Sequence, residues 1–377
     1  MDTKERVYRS LRQHLDKQTL GYPATKSGAE IRILKRLFSP EEAQLALHLN
    51  HKPTSPEHVY ELAKASGLSF DNVKNMLTTM AKNSVIGLVE KEGKQFFHTI
   101  PFIVGIFEGQ LTKLTPDFLQ DFDQFVSDKA FGLTMLSTEV PQMRTIPIGK
   151  SISVEHHVAT YDHIVDVIKG SDGPFAILEC ICRKSAALRG NPCKKTTRHE
   201  TCMPIGDMAK YAVEQGTGRA ISRDEALSIS QMNEDEGLVF QPSNNQKVDF
   251  VCACCGCCCG MLNMQKSLPK PVDFWATNFY ASVNTEVCSG CGTCIERCQV
   301  GALTVDDRTQ ASSVNRNRCI GCGNCVVTCP TGAMSLLKKE KEVVPPRDYE
   351  DLYDVIMTNK KGTLGKIGLV AKLMLKI

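Results

Sequence analysis

Eight cysteines late in the chain fall into one spacing used twice. Cys288, Cys291, Cys294 and Cys298 are separated by two, two and three residues. Cys319, Cys322, Cys325 and Cys329 repeat the pattern, followed by Pro330. The copies stand 31 residues apart, and the repeat reaches past the cysteines. Ser282-Val283-Asn284 precedes the first set as Ser313-Val314-Asn315 precedes the second, and Gly301-Ala302 and Gly332-Ala333 follow them. A period of this size marks a duplicated structural unit. Thiolates are soft ligands for iron, and three on a tight loop can cap the corners of a cubane. Gly290, Gly292, Gly321 and Gly323 let each loop turn and bring N–H groups toward the sulfides. The spacing predicts a fourth cysteine on a short helix after the loop, directed at the other copy's cluster. Cys288, Cys291, Cys294 and Cys329 then hold one [4Fe–4S] cluster, and Cys319, Cys322, Cys325 and Cys298 hold the other. Cys-x2-Cys pairs also make zinc ribbons, but zinc explains neither the third cysteine nor the three-residue step.

On these residues the segment resembles the two-cluster bacterial-type ferredoxins. The resemblance covers only the C-terminal part of the chain. It implies two [4Fe–4S] clusters and redox partner proteins. The sequence departs at Gln299, where the family has proline, as at Pro330. That proline is not a ligand, so little consequence is expected.

The other ten of the 18 cysteines lie between Cys180 and Cys259. Phe175-Ala176-Ile177-Leu178 reads as a buried strand leading into Cys180 and Cys182. On a strand these two share a face, because side chains alternate. Cys193 and Cys202 flank a basic, polar loop that can fold both over that strand end. Cys252, Cys254, Cys255, Cys257, Cys258 and Cys259 crowd into eight residues, which packing does not explain. Thiols in a reducing compartment point to metal rather than disulfides. If the run is extended, Cys255, Cys257 and Cys259 share one face and Cys252, Cys254 and Cys258 the other. The ten suffice for one or two additional iron–sulfur clusters, with the ligating subset open. Cys254-Cys255-Gly256 and Cys258-Cys259-Gly260 also resemble the Cys-Cys-Gly motif of the heterodisulfide reductase family, which holds a non-cubane cluster. The family's upstream cysteine is not at the expected interval. Its downstream pair would have to be Cys288 and Cys291.

The positioning elements read as follows. Residues 1–110 hold helices with caps at Ser39-Pro40, Ser55-Pro56 and Ser69, then a hairpin turning at Lys91-Glu92-Gly93. Helices followed by a hairpin resemble a winged helix-turn-helix domain. That likeness would put Asn72, Lys74, Asn75, Thr78 and Thr79 in a major groove. The helix and wing have few cations, and Glu90 and Glu92 stand beside Lys91 and Lys94, so nucleic-acid binding is disfavoured. Residues 111–144 form a helical connector, part of a phenylalanine-rich stretch (Phe102, Phe107, Phe118, Phe122, Phe125, Phe131) suited to a core or a dimer surface. Residues 145–265 form the cysteine-rich middle domain, expected to be α/β, with Ser222 and Glu225 as a capping box. Trp275, with Phe274, Phe279 and Tyr280, reads as a packed linker. Residues 266–340 are the dicluster domain. Residues 341–377 are a basic amphipathic tail, with Ile367, Val370, Leu373, Met374 and Ile377 on one helical face, able to contact a partner or a membrane surface.

At 377 residues, 42% hydrophobic and net charge +3, the chain fits several ordinary domains. The charge is too small to argue for nucleic acid or membrane. No run is long and apolar enough to span a bilayer, and the polar start is no signal peptide, so a cytoplasmic location is expected. Walker, Gly-x-Gly-x-x-Gly, nucleophile-elbow and His-Glu-x-x-His motifs are missing, and His156-His157 is a pair too close in sequence to ligate one metal. The expectation is therefore an α+β multi-domain iron–sulfur electron-transfer protein of an anaerobe, working within a larger redox system. Its order is a winged-helix-like domain, an α/β cysteine-rich domain and a ferredoxin-like dicluster domain. The alternatives are a redox-sensing transcription regulator, or an oxidoreductase subunit whose middle cluster binds substrate.

Overall fold

The structure, a computed structural model, describes residues 3–152 and 158–375; His156-His157 and Ile377 lie outside them. The chain divides into two compact units, Met1–Glu139 with Tyr353–Val370, and Val140–Leu352 with Ala371–Ile377.

The first unit begins with α1 (Thr3–Lys17), α2 (Ala29–Leu37), α3 (Pro40–Ala46), α4 (Pro56–Leu62) and α5 (Phe70–Lys82). Ser39 forms a capping box with Glu42, and Ser55 and Ser69 cap α4 and α5. Each cap satisfies an N–H that the first helical turn leaves unpaired. Strands β1 (Gly87–Lys91) and β2 (Lys94–His98) form an antiparallel hairpin, and Thr54 bridges to Phe97 on its edge. Helices α6 (Pro116–Val126) and α7 (Lys129–Met135) complete this part. Phe102, Phe107, Phe118, Phe125 and Phe131 are buried here, and the Tyr22 and Phe125 rings stand 4.6 Å apart. The phenylalanine-rich stretch is thus core.

The second unit is built on a five-stranded sheet. Its elements are α8 (Ile164–Gly170), β3 (Phe175–Glu179), α9 (Ile181–Leu188), β4 (Glu200–Pro204), α10 (Asp207–Glu214), β5 (Gly218–Ile221), α11 (Arg223–Asp235), β6 (Val239–Pro242), β7 (Phe250–Cys254) and α12 (Gly260–Ser267). Strand order is β5-β3-β4-β7-β6, and every pairing is antiparallel. The middle region is therefore not α/β as expected. The β6–β7 connection is a short loop, whereas α9, α10 and α11 lie between the other successive strands. Period-two alternation sorts the residues of β7. Val251 and Ala253 join a core with Ile146, Ile177, Met203 and Ile205, while Cys252 and Cys254 face the other way.

Residues 279–338 add β8 (Phe279–Val283), α13 (Thr293–Arg297), β9 (Leu303–Val305), β10 (Ser312–Val314) and β11 (Met334–Lys338). The two repeats exchange partners. β8, from the first copy, pairs with β11 of the second, and β9 pairs with β10. The Asn284 N–H donates to the Ala333 carbonyl at 2.8 Å, and the Asn315 N–H to that of Ala302 at 2.8 Å. Helices α14 (Tyr349–Thr358) and α15 (Thr363–Leu375) follow. Among the described residues no helix is long and apolar enough to cross a membrane.

Candidate metal centres

The exchanged strands bring the end of each repeat close to the start of the other. Cys298 acts electrostatically on Cys319, Cys322 and Cys325, and Cys329 acts on Cys288. The helix expected to carry the fourth cysteine instead carries the third. Cys294 lies in α13, and Cys298 follows it in an extended conformation. Gly290, Gly292, Gly321 and Gly323 all adopt positive φ, between 66° and 76°, as the tight loops require. A side chain at Gly321 would also run into the Phe279 carbonyl. Backbone N–H groups approach the sulfurs: Ser312 to Cys288 at 3.3 Å, Ala281 to Cys319 at 3.3 Å and Ala302 to Cys298 at 3.2 Å. Such donors favour the thiolate, the form that binds iron.

The halves differ in exposure. Cys291 is exposed, and Cys319 and Cys325 are buried. Burial pushes the Cys322 thiol up to about 12, whereas N–H groups of Ser312 and Gly290 lower that of Cys288.

Residues 287–333 match the family of 4Fe-4S dicluster domains. The dicluster domain carries four-iron clusters, and its eight cysteines, glycine loops and sulfur-directed N–H groups fit them. No curated protein and no solved structure matches the chain. The dicluster domain and the cysteine-rich region upstream point together to iron–sulfur electron transfer.

The ten upstream cysteines separate into two groups. Six are joined into a closed circuit by thiols that shift one another's ionisation. Cys180 pairs with Cys182 and Cys202, Cys202 with Cys252, Cys252 with Cys254, Cys254 with Cys259, and Cys259 with Cys182. Strand register explains half of this ring. Cys202 lies opposite Cys252 on neighbouring β4 and β7, and Cys254 follows two residues later on the same face. Contrary to the expectation, Cys180 and Cys182 do not share a strand face. The strand ends at Glu179, Cys180 caps α9, and the first helical turn carries Cys182 back toward it. Two thiols at opposite points of the ring are shifted toward the thiolate by their neighbours. They are Cys180, well below its usual value, and Cys254, down to about 7. The Gln241 side chain donates to Cys259 Sγ at 3.7 Å, and its buried Oε1 has no partner among the described residues.

The second group is Cys193, Cys255, Cys257 and Cys258, whose sulfurs all lie within 4.8 Å of one another. The expectation that Cys193 and Cys202 fold over one site fails, because Cys202 is held in β4 and Cys193 stays in the loop beyond α9. The expected faces of the 252–259 run also fail. The strand stops at Cys254 and the chain turns, so alternation ends there. Each Cys-Cys-Gly triplet is split: Cys254 and Cys259 belong to the ring, Cys255 and Cys258 to the tetrad. Burial raises the Cys193 thiol, but the N–H groups of Lys195 and Thr196 and the thiols of Cys255 and Cys257 outweigh it and bring it to about 7.

Two residues organise this region, one that the sequence reading passed over and one that it judged to be without consequence. Arg183 is 3% exposed; it donates to Thr201 Oγ1 and, at 3.0 Å, to the Ala253 carbonyl. Burial opposes its charge, but Cys180, Cys255, Cys254 and Cys193 outweigh that and raise its pKa. It therefore serves both thiol groups. Its one sequence signal is a cation directly after Cys182. The other residue is Gln299, expected to be inconsequential. It is buried, accepts from the Gly256 N–H at 2.8 Å and donates to the Gly237 carbonyl at 3.1 Å. Proline could make neither bond, and a side chain at Gly256 would collide with the Gln299 carbonyl.

Proposed function

We propose that the chain is a ferredoxin-type electron-transfer protein whose cysteine-rich region holds a further iron–sulfur cluster in line with the dicluster domain. Cys288, Cys291, Cys294 and Cys329 hold one four-iron cluster, and Cys319, Cys322, Cys325 and Cys298 the other. The six-thiol ring takes the third. When bound, these clusters supply one-electron chemistry. One observation carries the reading. Cys254 and Cys259 of the ring share a buried core with Cys294, Cys319 and Cys325, together with Val239, Leu262 and Trp275. These side chains exclude water between the two regions, and low exposure shapes cluster potentials. Exposed Cys291 marks the side open to a redox partner.

Anaerobically purified full-length protein tests this by iron and acid-labile sulfide content and dithionite-reduced spectra. The expected result is about twelve irons per chain if the ring takes a cubane. About eight irons, unchanged when Cys180 and Cys252 are replaced by serine, would confine electron transfer to the dicluster domain.

The N-terminal residues support a winged-helix reading used for assembly. The reading rests on helices α4 and α5 followed by the hairpin, with Thr54 bridging to its edge. Its outward face carries Lys74 beside exposed Asp71, and the Thr78 hydroxyl bonds back to the Lys74 carbonyl at 2.9 Å. Such a face gives little attraction to phosphate. In a gel-shift assay at physiological salt, the protein is expected to bind duplex DNA only weakly and without sequence preference. Sequence-specific binding lost on Lys74→Ala would instead favour a redox-responsive regulator.

A further inference from the structure

We propose that Cys193, Cys255, Cys257 and Cys258 bind one zinc ion in tetrahedral thiolate coordination, separate in kind from the iron–sulfur sites. The first support is distance. Cys193 lies 3.6 Å from Cys255 and 3.7 Å from Cys257, Cys255 lies 3.4 Å from Cys257, and Cys257 lies 3.7 Å from Cys258, sulfur to sulfur. Zinc–sulfur bonds of about 2.3 Å in a tetrahedron put the sulfurs about 3.8 Å apart. The four sulfurs therefore surround a space that suits one ion. Thiolates capping a cubane stand farther apart, because iron and sulfide lie between them.

The second support is the backbone. Cys255-Gly256-Cys257-Cys258 is a turn with Cys-x2-Cys spacing, common in zinc sites. The Cys259 N–H donates to the Cys255 carbonyl at 3.1 Å and closes it. Gln299 and Lys266 hold Gly256 on its two polar sides. The fourth ligand comes from a loop that is itself fixed. Arg198 grips Glu236 through Nε at 2.9 Å and Nη2 at 2.8 Å, and Lys195 reaches the Glu296 carbonyl at 3.3 Å. Both ligand segments are thus positioned by contacts that do not involve sulfur.

The third support is chemical economy of the turn. Cys254 and Cys259, which flank it, belong to the ring. A closed-shell ion without redox chemistry fixes that turn in every oxidation state of its neighbours. The tetrad is then the fastening that presents two ring cysteines.

The full-length protein, purified anaerobically, should contain one zinc per chain. X-ray absorption at the zinc edge should show four sulfurs at about 2.3 Å. Cys257→Ser and Cys193→Ser should each remove that zinc, or reduce its affinity at least tenfold, while the iron and sulfide of the dicluster domain stay constant. Cobalt(II) added to the zinc-depleted protein should give the intense ligand-field absorption of a tetrahedral thiolate site. Should either variant precipitate, the absorption spectra of the wild type still decide. Wild type without stoichiometric zinc, zinc with nitrogen or oxygen neighbours, or variants that lose iron and keep zinc would each overturn the proposal. Loss of dithionite-reducible iron alone would count against the electron-transfer reading and leave this site standing.

Discussion

Cys298→Ser is expected to abolish the cluster of the second repeat, not that of its own. The variant should lose the centre held by Cys319, Cys322 and Cys325, about four irons per chain, and keep the one held by Cys288, Cys291 and Cys294. The motive is the strand exchange. Pairing β9 with β10 draws the end of the first copy onto the start of the second, and Cys298 arrives beside Cys319. Cys329→Ser is the mirror experiment and should strike the exposed centre. Electron paramagnetic resonance of the dithionite-reduced variants reads the result. An inner centre lies among buried thiols and an outer one near exposed Cys291, so their relaxation and response to added paramagnetic ions differ. Retention of the inner signal in Cys298→Ser, with loss of the outer, would show that each repeat closes on itself.

Arg183→Leu should both weaken the fold and make the ring centre harder to reduce. The guanidinium is buried against thiols of the ring and of the tetrad, and two hydrogen bonds fix its plane. Deleting one member of a buried charge arrangement costs about 3–5 kcal/mol, since the opposite charges stay behind. Reduction adds negative charge, so loss of the cation lowers the reduction potential. A unit charge 5–10 Å away at an effective dielectric near 20 contributes roughly 2–3 kcal/mol, or about 100 mV for one electron. Potentiometric titration should therefore find one centre shifted to more negative potential and the dicluster centres nearly unmoved. Arg183→Lys keeps the charge and loses the two-pronged geometry, so its potential should move less than its melting temperature. Equal shifts in Leu and Lys variants would mean that shape, not charge, matters at this position.

The dicluster segment was legible in sequence because its ligands are local. Loop, glycines and spacing encode one another within a few residues, and a 31-residue period repeats the message. The helical caps at Ser39, Ser55, Ser69 and Ser222 were legible for the same reason. The ring and tetrad were not. Their partition depends on where β3 and β7 stop, and the strand ends are set by pairing with residues far away in sequence. Alternation applied past Cys254 gave the wrong faces once the chain turned. Gln299 was misjudged because its family position was weighed as a ligand question. Its role is to bond two backbone groups more than forty residues upstream. Beyond its place directly after Cys182, nothing local to Arg183 signals that it lies between two sets of thiols.

The exchange of strands between the repeats also bears on biogenesis. A duplicated unit whose halves closed separately could fold, and load metal, one half at a time as the chain left the ribosome. Here β8 waits for β11, and in the crossed arrangement Cys288 waits for Cys329. Long-range pairing of this kind slows folding, because the intervening chain has to be ordered before the contact forms. The first repeat therefore emerges with its four cysteines but without Cys329, the fourth ligand that the crossed arrangement assigns to its cluster. Nascent chains in that interval are the ones most open to oxygen and to the wrong metal. In the crossed arrangement the first cluster can be completed only after synthesis has passed Cys329.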